Sequence, residues 1–455
     1  MALAFADIGA TRIQSWLDRT SRLRQRRGGS HMINQLTSND HVTSLLTGFP
    51  GVTINVAAGE IDGLVSLCAD APDVLAAKNL VRQAARHVVS AIQRELPTLG
   101  IEVTVGSGTS YHHAHAQMAS KREAGDLDID APPAVAELPF VQACADCRVS
   151  PAASTKYNPD RLRVCAECHA RSKRTVDETT ILGDITEVED FRGLAEPPRL
   201  TDIALIFADG NRVGAFKQAL AAVQGRPDVP DIDEFSVMLN DANNNAIHQA
   251  LDAVAPAKII RHLAGGDDLL LSVEARSAWA FTQAYLGAFA GHWRTARGDS
   301  RFPGIDVAQL PTSSAAIVFH HYSHPFAEAL ALATELLKHA KKTHRGRTAA
   351  IGFSRVSSDG DAVTGDERPP AELAWLTAHG DALTSVATYP QAQRKMLRAT
   401  LASTEPPETR RAALRKATEH GLRDLTALSS STQPLSHDDE LEAVAWVLDL
   451  TEWWT

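Results

Sequence analysis

Arg261-His-Leu-Ala-Gly-Gly-Asp-Asp-Leu-Leu-Leu-Ser-Val273 decides how the rest of the chain is read. Two apolar runs, Lys258 to Leu263 and Leu269 to Val273, flank Gly265-Gly266-Asp267-Asp268. A glycine pair between β-rich runs predicts a tight hairpin. Adjacent carboxylates at its tip repel each other, and a divalent cation set against them relieves that repulsion. The glycines leave room for a bulky anion, such as a triphosphate, to reach the backbone. Taken alone, the tetrapeptide also fits a solvated turn.

A second stretch, Asp202-Ile-Ala-Leu-Ile-Phe-Ala-Asp-Gly-Asn-Arg-Val-Gly214, is an apolar strand that runs into Asp209 and Gly210, with a helix expected from Ala215. A carboxylate at the end of a buried strand is costly unless it binds something. If the two strands lie side by side, Asp209 meets Asp267 and Asp268 and the three can share a pair of magnesium ions.

Phe207-Ala-Asp-Gly-Asn211 followed by Ala264-Gly-Gly-Asp-Asp268 resembles the palm domain of the CRISPR polymerase, the large subunit of type III CRISPR effector complexes. More distantly it resembles the GGDEF diguanylate cyclases and the class III adenylyl cyclases. The resemblance implies a nucleotidyltransferase that makes cyclic oligoadenylate from ATP with Mg2+ or Mn2+ and is switched on by target RNA. It also implies guide RNA, effector backbone subunits and small subunits as partners. We assign Asp209 and Asp267 as bridging metal ligands, with the Gly210 carbonyl completing one ion. Asp268 is either a further ligand or a group behind the ligands. Gly265 and Gly266 turn the backbone toward phosphate. Ser313-Ser-Ala-Ala-Ile-Val-Phe-His-His-Tyr-Ser-His-Pro325 resembles a neighbouring strand of the family and puts Ser314 among the nucleotide-binding candidates. The family resemblance gives Lys341, of Ala340-Lys341, to the triphosphate; a plainer role is to answer the helix dipole. Asn211 stands where the family commonly has a second aspartate, and Tyr322 where lysine is usual. Two other readings fit: a stand-alone defence cyclase making a cyclic dinucleotide, and a catalytically silent RNA-binding scaffold.

Bulk properties bound these readings. The chain has 455 residues, 44% of them hydrophobic, enough for several cored domains. Its net charge of −10 excludes a generic polyanion binder, so nucleic-acid contact has to be local. No run is long and apolar enough for a membrane span, and Met1 to Asp7 lacks a secretory pattern. A cytoplasmic protein without a membrane partner is expected.

The predicted fold is α+β: two ferredoxin-like palm domains, a zinc-binding insert between them and a C-terminal helical domain. The divisions are 1–120 (first, degenerate palm), 121–200 (insert), 201–360 (second palm) and 361–455 (helical). The β-α-β-β-α-β order occurs twice. Aligned by eye, Phe5-Ala-Asp7 answers Phe207-Ala-Asp209, and Ala58-Gly-Glu60 answers Gly265-Gly-Asp267. The first copy keeps one aspartate but lacks the Gly-Gly-Asp-Asp turn, so it is read as a degenerate palm that helps hold a nucleotide without doing chemistry; the sharper alternative is a second active palm using Asp7 and Glu60. Asp7-Ile-Gly9 followed by an arginine-rich helix also resembles the opening of the family's first palm; that helix is expected to stop at Gly28-Gly29. Its arginines meet either RNA or acidic neighbours. Cys144-Ala-Asp-Cys147 and Cys165-Ala-Glu-Cys168, seventeen residues apart, have the spacing of a structural zinc site. The HD nuclease domain that usually opens the family's large subunit is expected to be missing, because the chain starts at the first palm.

Overall fold

The computed structural model describes residues 2–20, 22–58, 63–133, 141–174, 179–182, 185–188, 190–195, 197–198, 200–223, 235–255, 257–298, 302, 305–356, 369–419, 421–422, 424–431 and 440–454. Its strands are β1 (Ala2–Thr11), β2 (Val52–Ile54), β3 (Leu64–Ala71), β4 (Gly100–Ser107), β5 (Ile129–Ala131), β6 (Thr179–Leu182), β7 (Ile185–Glu187), β8 (Asp202–Asn211), β9 (Ala257–Gly265), β10 (Asp268–Glu274), β11 (Thr312–His321), β12 (Ala350–Arg355) and β13 (Ala371–Glu372). They form two sheets, ordered β2-β3-β1-β4-β5 and β13-β12-β11-β8-β10-β9-β7-β6.

Within each sheet four strands have the ferredoxin-like arrangement. The first strand of the copy is central, flanked by the third and the last: β3-β1-β4 in one sheet and β10-β8-β11 in the other. The expected α+β architecture with its repeated palm is therefore present. β8 is apolar because both of its faces are covered. Ala204, Ile206 and Ala208 meet the helices Phe235–Val254 and Ala278–Gly298. Ile203 and Leu205 meet the opposite core, which the helix Phe326–Thr343 closes through Phe326, Leu330, Ala333 and Leu337. That helix connects β11 to the parallel strand β12.

The helix predicted near residue 13 is broken. Ile13–Leu17 is followed by a separate helix, Leu23–Thr37, and Gly28-Gly29 lies inside it rather than ending it. The glycines serve close approach. A Cβ on Gly28 would sit 1.9 Å from the Arg171 carbonyl oxygen, and one on Gly29 would sit 3.0 Å from Leu17. The arginines of this helix are mostly internal. Arg27 is buried and pairs with Glu187 at 2.9 Å. Arg26 pairs with Asp18 and lies over the Phe326 ring. Arg22 reaches Asp146 at 3.2 Å and also pairs with Asp160. They tie the first palm to the cysteine module and the second palm.

The C-terminal region is helical: Leu373–Ala378, Gly380–Thr388, Gln391–Ala402, Pro407–Glu419, Asp424–Ser431 and Glu440–Leu450. Among the described residues no helix is long and apolar enough to cross a membrane.

Candidate active site

The hairpin forms with a two-residue loop, Gly266-Asp267, between β9 and β10. Gly266 has a φ of +61°, a conformation that favours glycine at the first loop position. Leu269 pairs with Ala208, so the next step of the register brings Asp209 level with Asp268 and Gly210 level with Asp267. On the other side Asp209 pairs with Ser314 and Gly210 with Ser313. Two segments about 60 residues apart in sequence thus bring their acids to one end of the central strands.

A Cβ on Gly210 would lie 2.6 Å from the Asp267 carboxylate oxygen Oδ2. Glycine is needed there because the Asp267 side chain lies over the backbone. Burial raises the Asp267 pKa, and the charge of Asp209 and a direct side-chain contact with it add to the rise. Burial, followed by the charges of Asp209 and Asp267, pushes Asp268 up to about 7. Lys341 opposes both shifts. Its Nζ is 2.5 Å from Asp209 Oδ2 and donates to the Gly210 carbonyl at 2.8 Å. The hard oxygens are what magnesium or manganese prefers, and like charges forced together are what such an ion relieves. The three carboxylates are not drawn as tightly as the cysteines: among the described residues, only the four thiols have ligand atoms all within 4.8 Å of one another.

The structure places Asn211 and Ser314 in the wall of the site. Asn211 is 2% exposed and Ser314 fully buried. Asn211 Nδ2 donates to Ser314 Oγ at 2.9 Å, to Thr312 Oγ1 at 3.0 Å and to the Thr348 carbonyl at 3.3 Å. In this arrangement the pair holds β8 against β11 and the start of β12, and the buried Asn211 Oδ1 has no hydrogen-bond partner among the described residues. Gly265 precedes the loop and pairs with Asp268.

Three residues of the support were not anticipated. Asn240 Oδ1 accepts from the Gly266 amide at 2.9 Å, and Asn243 Nδ2 donates to the Asp268 carbonyl at 3.2 Å. The buried Tyr285 hydroxyl donates to Asn243 Oδ1 at 2.8 Å. The available signal was two asparagines, three residues apart, on one face of a helix otherwise facing the core.

The first palm differs where the acids sit. Asp7 pairs with Ser66, and Ala6 with Leu67. Superposing Asp7 on Asp209 therefore sets Ser66 on Asp268 and Val65 on Asp267. The alignment by eye with Glu60 does not follow this register, and Glu60 itself lies outside the described residues. Asp7 is buried, and accepts from Ser66 Oγ at 2.8 Å and from the Tyr111 hydroxyl at 3.2 Å. Burial raises its pKa. It is a hydrogen-bonded acid without a carboxylate partner on the adjacent strand.

Cys144, Cys147, Cys165 and Cys168 converge between the palms, with Cys147 and Cys165 sulfurs 3.9 Å apart. That is close to the sulfur separation of a tetrahedral zinc–thiolate centre, roughly 3.8 Å for zinc–sulfur bonds of about 2.3 Å. Around them Val164 is the one other fully buried apolar residue of the cluster, so the module has little core of its own.

Residues 202–350 match the second palm domain of Cas10/Cmr2. Among solved structures, Csm1 of T. onnurineus is 13% identical over 98% of this chain and 69% of its own, with a TM-score of 0.54. The Csm1–Csm4 subcomplex of the type III-A CRISPR-Csm interference complex is 14% identical, covering 99% and 69%, at 0.53. A Csm1–Csm4 cassette in complex with cA3 is 12% identical, covering 99% and 70%, also at 0.53. No curated protein sequence matches the chain. Residues 202–350 are thus similar to the second palm of Cas10/Cmr2, and the chain as a whole has a fold like that of Csm1.

Proposed function

We propose that this chain, with its Cas10/Cmr2-type second palm, is the nucleotidyl cyclase subunit of a type III CRISPR effector complex and joins ATP into cyclic oligoadenylate when target RNA is bound. One observation carries the reading: Asp209, Asp267 and Asp268 meet at one strand end with Lys341 across from them. The cA3-bound relative supports the product class.

Asp209, Asp267 and Asp268 are the residues that would hold magnesium or manganese, which when bound favours the deprotonated 3′-hydroxyl and offsets phosphate charge. Buried carboxyls with raised pKa values are held short of water, so a hard cation replaces the missing solvation. Gly265 and Gly266 keep side chains away from the phosphate approach. Lys341, held at Asp209 and the Gly210 carbonyl, is the cation that would offset the triphosphate's charge. Asn211 and Ser314 act by position, setting β8 against β11. The first palm offers a wall and no metal ligands at the matching register. The four cysteines hold a structural zinc that fastens the insert to both palms. A Csm4-like subunit is the partner by analogy with the Csm1–Csm4 assemblies.

Incubation with labelled ATP and magnesium, with and without target RNA and partner subunits, tests the reading. RNA-dependent appearance of a cyclic adenylate supports it. A cyclic product made equally well without RNA favours the stand-alone cyclase, and no product under any condition favours the silent scaffold.

A further inference from the structure

Outside the active site, the cysteine module displays the most distinctive charged surface. Residues 141–174 carry seven basic side chains against three acidic ones, in a chain whose net charge is −10. All three acids are engaged. Asp146 accepts from Arg22, Gln25 and Asn158. Glu167 accepts from Arg171 and Thr98. Asp160 pairs with Arg22. Arg148, Arg161 and Arg163 are exposed and have no ion pair among the described residues. A loaded zinc site with four thiolates carries a net charge of minus two, which takes up part of this excess. The exposed guanidiniums lie in solvent and remain available to an anion.

These arginines sit on a built hairpin. Tyr157 and Arg163 form a bridge, Asn158 donates to the Leu162 carbonyl at 2.9 Å, and Ala145 donates to the Arg163 carbonyl at 3.0 Å. Those bonds fix the hairpin to the cysteine loop that carries Arg148. Tyr157 is 48% exposed and Leu162 53% exposed beside the arginines. An exposed aromatic face and an apolar side chain beside cations are the combination that single-stranded nucleic acid uses, a base on the ring and phosphates on the guanidiniums. We propose that this hairpin docks single-stranded RNA: Tyr157 stacks on a base, Leu162 packs beside it, and Arg148, Arg161 and Arg163 take the flanking phosphates. An acidic protein segment would use the arginines but would leave the ring face without its natural partner. The inference does not depend on the ATP chemistry.

The test is fluorescence anisotropy of the full chain with labelled oligouridine, without ATP, over a series of salt concentrations. Tyr157→Ala should weaken binding about 10-fold. Arg161→Glu with Arg163→Glu should also weaken it and reduce the salt slope by roughly 1.4, the share of two phosphate contacts on a single strand. Zinc content and melting temperature should stay unchanged in both variants, because all three side chains are exposed. Equal affinity of the wild type and both variants, or no binding by the wild type, overturns the proposal. Tighter binding of an acidic peptide than of oligouridine, lost in the same variants, overturns it in favour of a protein partner.

Discussion

Gly28 occupies a helix interior, where alanine is ordinarily favoured by about 1 kcal/mol. Here the neighbouring Arg171 carbonyl would be 1.9 Å from the added methyl. Gly28→Ala should therefore destabilise the protein by about 2 kcal/mol, the scale of a core overpacking, in urea unfolding. Gly291→Ala, in a helix with nothing within 4 Å of the new methyl, should instead be neutral or stabilising by up to about 1 kcal/mol. The same rule applies with more consequence at Gly210. A methyl there meets Asp267 Oδ2 at 2.6 Å, so Gly210→Ala should cut ATP conversion roughly 100-fold through misplacement of one carboxylate. Comparison of rates for folded wild type and variant checks this. Asp209, Asp267 and Asp268 were readable from sequence because acids at the ends of apolar strands break the pattern that surrounds them. The tasks of Gly28, Asn240 and Asn243 were not, since each depends on a partner distant in the chain.

Among the elements, β9 and β10 show how a strand can store acid sensitivity. A bulge at Leu270/Leu271 leaves His262 between paired positions, buried, with Nε2 2.9 Å from Ser272 Oγ. Burial, with Arg27 and Arg26 adding to it, drives its pKa well below 6.5. On β11 burial lowers His320 to about 4, although its bond to the His321 carbonyl opposes the shift. Both rings pack on Phe191. The folded form thus binds fewer protons than the unfolded chain, whose histidines titrate near 6.5. Stability is full above that value and falls as pH drops from about 6.5 toward 4, by roughly 3 kcal/mol for His320. His320→Phe should flatten this slope in urea unfolding measured across that range; an unchanged slope would refute the assignment. The strands were legible through their apolar runs, and the helix Val213–Val223 as the segment expected to follow β8. The helix Gly380–Thr388 was not, because its glycine, serine and threonines read locally as a loop and only packing of Leu383 and Val386 makes it a helix.

At the scale of the whole molecule, the insert is a wedge that both palms grip. Arg171 lies 3.5 Å over the Trp16 ring and bonds Glu167 at 2.7 Å, and Glu167 holds Thr98 of the first palm at 2.8 Å. On the other side β7 pairs in parallel with β9 of the second palm, and Glu187 receives Arg27. Metal analysis should find about one zinc per chain, and stripping it should lower the melting temperature by several degrees, since the cluster has almost no apolar core to fall back on. The repeated palm was visible in the order of elements, while the register that sets Ser66 opposite the first palm's acid, and Val65 at the position matching Asp267, was visible only once the strands were paired. The account as a whole stands on acids from two strands acting together on ATP. The most direct measurement is conversion of labelled ATP, with magnesium and target RNA, by the wild type and by the Asp267→Ala, Asp268→Ala double variant at matched melting temperature. The account predicts adenylate product from the wild type and none from the variant; product formation by the variant at the wild-type rate would contradict it.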